Sequence, residues 1–589
     1  MQSSAQRAED KTMSNLLIRG GTVIDGTGAP SFAADVRIRD GLIAEIGKGL
    51  APQADERLFD ATGCFVTPGF IESHTHFDAT MWWQPDMDPL PGYGVTSSVM
   101  GNCGFSAAPV SDDPQARLEM VQIFSFFEDI PVKPFLQELP WDWRTWPEYK
   151  QSLSKVKTAV NFAALVGHIA IRLAAMGMAA WERAATPQEI ERMAALLDEA
   201  LKAGALGLST NLHDHDGNDR PVPTLLADDA ELSALIDVLA RYPGTSLQVV
   251  VDTFMRMTGP AATERVANLC RGKPVRVQWA GVPTLTFQKF IQGPMIEQHE
   301  RYKAEGLDFW TGFAHVSPTS TLSIIRSLIF AQSNDYVWHE VVLLENEDDK
   351  LKLLRDPEWR ARARHSWDND VWEHAPMRHP QALILANSDN GVGPLDITLA
   401  EYAGQLGVHH SDAMAEWLIA NGLQSTVQMA PFDLDEEMII RLLKDPFTVG
   451  NISDAPAHGQ MLCGGGENIE LFTKYVNRLG ALTMEEAVHV QTGKLAGHFN
   501  LNDRGELKVG KRADVAVFNV DEIETRKKKK KYDVPDGDGG HLWRWTRDAA
   551  PMRLTLVGGV PTFENGAFTG ALPGRMIGPV ARSEVGAGR

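Results

Sequence analysis

A chain of 589 residues, 43% hydrophobic and 23% charged, has the make-up of an ordinary globular protein and is long enough for more than one domain. Its net charge of −21 excludes a general nucleic-acid binder, which needs a basic footprint, and no apolar run approaches the roughly 18 residues that cross a bilayer. Four scattered cysteines, Cys64, Cys103, Cys270 and Cys463, are too few for a disulfide framework, so the expectation is a cytoplasmic protein that engages neither membrane nor nucleic acid.

Residues 1–13 are polar and read as a disordered leader, with Met13 an alternative start. Short strands follow at 16–18, 22–24, 35–39, 42–46 and 57–60, joined by turns such as Asp25-Gly26 and Asp40-Gly41. From 65 to 494, apolar strands alternate with segments of helical period. In one of these, Thr186-Pro187-Gln188-Glu189 is a capping box with proline at the first helical position, followed by Ile190, Met193, Leu197 and Leu201 at helical spacing and closed by Gly204. Strands are expected near 65–70, 95–100, 162–166, 205–208, 247–250, 275–279, 307–312 and 447–452. Repeated strand–helix units imply a parallel sheet, and eight of them suit a closed (β/α)8 barrel of the α/β class. The stretch from about 319 to 400 breaks the alternation and reads as an insertion, and His409-His410, in an apparent helical insertion, reads as a structural pair. The far end, 495–589, returns to short strands at 514–518, 553–557 and 562–563. The basic run Arg526–Lys531 reads as a solvated, mobile loop. Trp82, Trp83, Trp141, Trp143 and Trp146 either line an apolar pocket or pack in the core.

The first of the barrel strands runs into Pro68-Gly69-Phe70-Ile71-Glu72-Ser73-His74-Thr75-His76-Phe77-Asp78. Residues two apart on a strand face the same way, so His74 and His76 can aim both imidazoles into the barrel mouth, where neutral nitrogens suit a zinc-like ion. A hydrogen-bonded surface pair is the alternative. Cys103, in Gly101-Asn102-Cys103-Gly104-Phe105, is either a thiolate ligand or a buried small hydrophobe. Asp454, in Ser453-Asp454-Ala455-Pro456-Ala457-His458, can bind a metal and accept a proton from the water that a metal acidifies. It can equally be a turn or helix-cap aspartate. His458 is a proton shuttle or a structural histidine. His168 and Arg172 follow the strand at 162–166 and are candidates to face substrate. In Leu212-His213-Asp214-His215-Asp216, the histidines contact substrate, bind a second ion, or are simply solvated.

The segments LLIRGGTVIDGTG, PGFIESHTHFD, GNCGFSAAP, LVGH, AGALGLST, GNISDAPAHG, GELKVGKRADVAVFN and VGGVPTFENGAFTGALPGR resemble the amidohydrolase superfamily, and within it the D-aminoacylase (N-acyl-D-amino-acid deacylase) branch. The resemblance covers nearly the whole chain after Met13. It implies a barrel over 65–494 beside a small β-sandwich built from 14–64 and 495–589. It also implies zinc (one or two ions, or another divalent metal), a small-molecule substrate and a homo-oligomer. By position, His74 and His76 match the branch's first-strand ligands, Cys103 its cysteine ligand, and Asp454 its last-strand aspartate, the general base. Two further histidine ligands of the branch have no counterpart, because the fifth- and sixth-strand stretches read Thr245-Ser246-Leu247-Gln248-Val249-Val250 and Val275-Arg276-Val277-Gln278-Trp279-Ala280. Either a single metal sits at His74, His76, Asp454 and Cys103, or replacement ligands come from His168, His213, His215 and His315. The tyrosine that follows the branch's GLST-like motif is replaced here by Leu212-His213-Asp214. The expected activity is hydrolysis of the C–N bond of an N-acyl amino-acid-like or cyclic amide by metal-activated water, with His168 or His458 steadying the oxyanion. Ester or lactone hydrolysis, and a non-catalytic protein of the same fold, are the rival readings.

Overall fold

A computed structural model describes residues 15–580 apart from 219, 254–257, 318, 325–336, 371–377, 430 and 451. The leader expected over 1–13 lies outside the described residues. The two ends of the chain meet in one nine-stranded sheet. Its N-terminal strands are Leu16–Val23, Phe32–Arg39, Leu42–Gly47, Arg57–Asp60 and Phe65–Pro68, and its C-terminal strands include Val515–Phe518, Leu554–Val557 and Val560–Glu564. Alternating apolar residues on these strands (Leu16 and Ile18, Val36 and Ile38, Val515 and Val517, Leu554 and Leu556) turn one face into a common buried cluster around Val66.

The expected strand at 65–70 is in fact two. Phe65–Pro68 pairs antiparallel with Val515–Phe518 in the terminal sheet, while Phe70–Glu72 pairs parallel with Val95–Met100. Gly69 makes the switch possible, since a Cβ there would lie 2.1 Å from the Thr96 side chain.

Beyond Gly69 every core pairing is parallel. Phe70–Glu72, Val95–Met100 and Asn161–Ala164 form one sheet. Val166–Gly167, Gly207–Asn211, Ser246–Val250, Arg276–Trp279, Phe309–Gly312 and Thr448–Val449 form a second. A single residue, Leu165, separates the two sheets along the chain. At their other edges a parallel bridge joins His74 to Ile452. Helices between the strands cover these sheets and share their largest core, in which Trp143 and Trp146 are buried. Helix Pro187–Lys202 starts as its sequence predicts: Thr186 caps the Glu189 N–H, and the Glu189 carboxylate accepts the Thr186 N–H.

Described residues between 321 and 429 gather around a core of their own. Thr321–Ser323, Leu383–Asn387 and Thr426–Met429 form an antiparallel sheet packed with helices such as Pro357–Asn369 and His410–Asn421 around a separate core containing Trp338, Trp359, Trp367 and Trp417. Among the described residues, no helix is long and apolar enough to cross a membrane.

Candidate metal centre

Because the core strands run parallel, the segments after their C-terminal ends gather on one side. Phe70–Glu72 delivers His74 and His76, Val95–Met100 delivers Cys103, and Thr448–Val449 leads to Asp454. Two of these residues hold left-handed backbone, Cys103 at φ 57° and Asp454 at φ 59°, conformations that L-residues adopt at a cost. The surroundings lock both. The Cys103 N–H donates to Gln248 Oε1 at 3.0 Å, its carbonyl accepts from Asn211 Nδ2 at 3.2 Å, and the Asp454 N–H donates to the His74 carbonyl at 3.2 Å.

The side chains converge. His74 Nε2 lies 3.1 Å from Cys103 Sγ and 3.4 Å from Asp454 Oδ1, and His76 Nε2 lies 3.2 Å from the same oxygen. One donor atom each from His74, His76 and Cys103 fit within 4.8 Å of one another, a spacing that a single ion can bridge. Both His76 ring nitrogens are buried without a well-formed hydrogen bond. Burial pushes the His74 imidazole down to about 4, which keeps its nitrogens neutral and available as ligands. At His76, burial opposes protonation, but the Glu128 and Asp454 carboxylates outweigh it and hold the group up at about 9. Burial would raise Asp454 too, yet the close approach of the His76 ring and the charges of His74 and His458 hold it well below the ordinary carboxylate range. A buried nest of carboxylates, a thiol and imidazoles that retains a proton in this way favours a cation, and the donor set of His74, His76 and Cys103, with Asp454 beside both histidines, fits a zinc-like ion.

Glu128, which the sequence reading passed over, completes the arrangement. It ends helix Pro114–Glu128, is only 3% exposed, and faces His76 Nδ1 at 3.3 Å and His458 Nε2 at 3.8 Å. Burial pushes its carboxyl up to about 8. An acid at a helix C-terminus opposes the helix dipole, so this position needs a partner for the charge. His458 stands 3.7 Å from Asp454 Oδ2, so it belongs to the cluster.

The other candidates go elsewhere. His168 is fully buried, with Nδ1 2.8 Å from Thr210 Oγ1 and Nε2 2.8 Å from Glu231 Oε1, and Arg172 pairs with the same Glu231. Both side chains are turned to Glu231, and Arg172 Nη2 also donates to the Arg183 carbonyl at 2.7 Å. His213 Nε2 sits 3.5 Å from Asp214 and 3.9 Å from Asp252, while His215 packs against Phe126 and Phe127. His315 Nε2 lies 3.0 Å from the Glu467 carbonyl. Gln248 and Gln278 stand opposite each other on the paired strands Ser246–Val250 and Arg276–Trp279, the first tied to the Cys103 loop. Among the described residues, the group of possible ligands contains none of these.

Asp454 also opens outward, its side chain 32% exposed, onto a cavity of about 480 Å³ lined by His315, Cys463, Glu467, Lys528 and Arg547. Lys528 belongs to the run Arg526–Lys531, and its placement corrects the expectation of a mobile loop there. That run enters a strand, Lys528–Pro535, paired antiparallel with His541–Arg547. Lysine Nζ atoms lie over the partner strand's aromatic rings, Lys530 4.1 Å from Trp543 and Lys528 4.6 Å from Trp545. Cross-strand cation–π contacts, invisible in a lysine run read alone, order the segment. The hairpin is also clamped to the loop after Asp454, the Trp545 N–H donating to the Gly459 carbonyl at 2.6 Å and Trp545 Nε1 to the Gln460 carbonyl at 3.1 Å.

Comparison with known proteins adds three findings. A family model described as the amidohydrolase family matches residues 57–563. An N-acyl-D-aspartate deacylase of Alcaligenes xylosoxydans xylosoxydans is 37% identical over 522 residues, 86% of each chain, and a D-aminoacylase of the same organism is 27% identical across 96% of this chain and 98% of its own. The crystal structure of N-acyl-D-glutamate deacylase from Bordetella bronchiseptica, complexed with zinc and a phosphonate mimic of its tetrahedral intermediate, matches with a TM-score of 0.64 at 24% identity. That match covers 96% of this chain and 99% of the other, and indicates a shared fold.

Proposed function

Since the chain belongs to the amidohydrolase family, in its D-aminoacylase-like branch, we propose that it is a metal-dependent hydrolase that cleaves the amide bond of an N-acyl amino-acid-like substrate at the cluster around His74. The observation that carries this reading is the convergence of His74, His76 and Cys103 donors within 4.8 Å, beside an Asp454 that faces both the cluster and an open cavity. The proposed frame is a (β/α)8 barrel closed by the bridge from His74 to Ile452, flanked by a β-sandwich domain from the two chain ends.

His74, His76, Cys103 and Asp454 would hold one divalent ion, zinc by the chemistry of the set. When bound, such an ion polarises the scissile carbonyl and acidifies water. Asp454 is ionised at neutral pH, so it can take the water's proton and return it to the leaving amine. His458, beside the other Asp454 oxygen, steadies that carboxylate and is the remaining candidate for the oxyanion, since His168 is committed to Glu231. The absence of histidine at Gln248 and Gln278 supports a mononuclear site.

The test is elemental analysis of the wild type and of the His74→Ala/His76→Ala double variant, together with acetate release from N-acetyl-D-amino acids. About one ion per chain, lost in the double variant along with turnover, is expected for a single-metal site. Metal-free protein after purification without chelators, or turnover that survives the double substitution, refutes the assignment.

A further inference from the structure

Arg547 and Lys528 are paired across the hairpin and both line the cavity onto which Asp454 opens, but their charges are treated differently. Arg547 is compensated. Its Nη2 lies 3.0 Å from Glu467 Oε1 and donates to the Cys463 carbonyl at 2.8 Å. Lys529 and Lys531, the neighbours on the other face of the strand, are also matched, the first by Asp548 and the second by Asp88 and Asp533. Lys528 has no such partner. Its Nζ donates to Thr321 Oγ1 at 3.0 Å and lies over the Trp545 ring, and among the described residues no carboxylate comes within ion-pair distance of it.

A partly buried ammonium without a counter-ion is costly unless something else supplies the negative charge. Burial moves the group below its ordinary value, consistent with that cost. Thr321 comes from the antiparallel sheet of 321–429 and Trp545 from the hairpin's second strand, so two separate elements hold this cation on a residue that lines the cavity. The cavity's size, about 480 Å³, suits a small molecule.

We propose that Lys528 is the residue that recognises the substrate's carboxylate, so that the acyl amide lies at the Asp454 end of the cavity and the acid end meets the hairpin. The inference rests on the reading of the cavity as the substrate site of an N-acyl amino-acid hydrolase. Its test, however, reads binding and not turnover. A negatively charged ligand group gains a charge-assisted hydrogen bond at Lys528, and a neutral amide in its place leaves the ammonium uncompensated.

The experiment is calorimetric titration of the purified enzyme with N-acetyl-D-alanine and N-acetyl-D-aspartate, each against its fully amidated, uncharged counterpart. Wild type is expected to bind at least one acid roughly 10- to 100-fold more tightly than the matching amide. Lys528→Met should remove that preference with the amide bound no more weakly than by wild type, and Lys528→Arg should keep most of it. Thermal melts and amide binding establish that the variants are folded. The proposal is overturned by acid and amide binding equally well to wild type, by no binding of either acid, or by a preference that survives Lys528→Met. If turnover fails while this pattern of binding holds, the fault lies with the hydrolytic reading and not with Lys528.

Discussion

His76 depends on Glu128. With Nε2 turned toward Asp454 and Nδ1 toward Glu128, the imidazole is held in one orientation by a buried carboxylate, the arrangement that fixes tautomer and basicity in metal-ligating histidines. Glu128→Gln should therefore weaken metal binding by roughly 10- to 100-fold while the protein stays folded, which competition with a chelator of known affinity would measure. Asp454→Asn is expected to lower kcat by about 10²–10⁴-fold with the fold intact, the range for loss of a general base; steady-state kinetics showing wild-type turnover would remove Asp454 from that role. At this scale the sequence was informative where chemistry is contiguous. His74-Thr75-His76 sits on one short segment, so its spacing is readable directly. Glu128 and Lys528 are isolated charges whose neighbours arrive from distant parts of the chain, and nothing local marks what they face.

Among the elements, helix Pro187–Lys202 shows local instruction followed fully. Thr186→Ala removes the cap on the Glu189 N–H and should cost about 1 kcal/mol, read by urea denaturation. The same corner predicts a pH dependence. The hydrogen bond from Arg183, followed by those from Thr186, pulls the Glu189 carboxyl down from an ordinary 4.5 to about 2. A folded value below the unfolded one means that this stabilisation is present above pH 4.5 and fades as pH falls toward 2. Comparing denaturation midpoints of wild type and Glu189→Gln at pH 6 and pH 3 checks this, and the gap between them should narrow at the lower pH. The strand at 65–70 and the hairpin at Lys528–Pro535 show where local reading stops. Phe65 to Phe70 is one apolar run, and only the packing of Gly69 against Thr96 sends its two halves into different sheets. The lysine run is polar by itself and becomes a strand because Trp543 and Trp545 lie across from it.

Over the whole molecule, the candidate ligands come from the segment after the first parallel strand, the one after the second, and the one after the last, so an ion held by them ties the two edges of the proposed barrel together. A ligand that binds only the folded state stabilises it by mass action, about 2.7 kcal/mol at a hundredfold excess over Kd. Adding zinc to chelator-treated wild type should accordingly raise Tm by a few degrees in differential scanning fluorimetry, while His74→Ala/His76→Ala should not respond. By itself the sequence determined the alternation of strands and helices, the β-rich ends, and the spacing of His74 and His76. Each of these is written in short-range periodicity or in a motif a few residues long. Only the tertiary structure decided that His168 and Arg172 serve Glu231, that described residues between 321 and 429 gather around a core of their own, and that Glu128 and the hairpin carrying Lys528 meet the Asp454 side of the core. Those outcomes follow from the burial of charge against partners far away in the chain, and a buried charge is satisfied by whatever the fold brings to it, which local spacing does not encode.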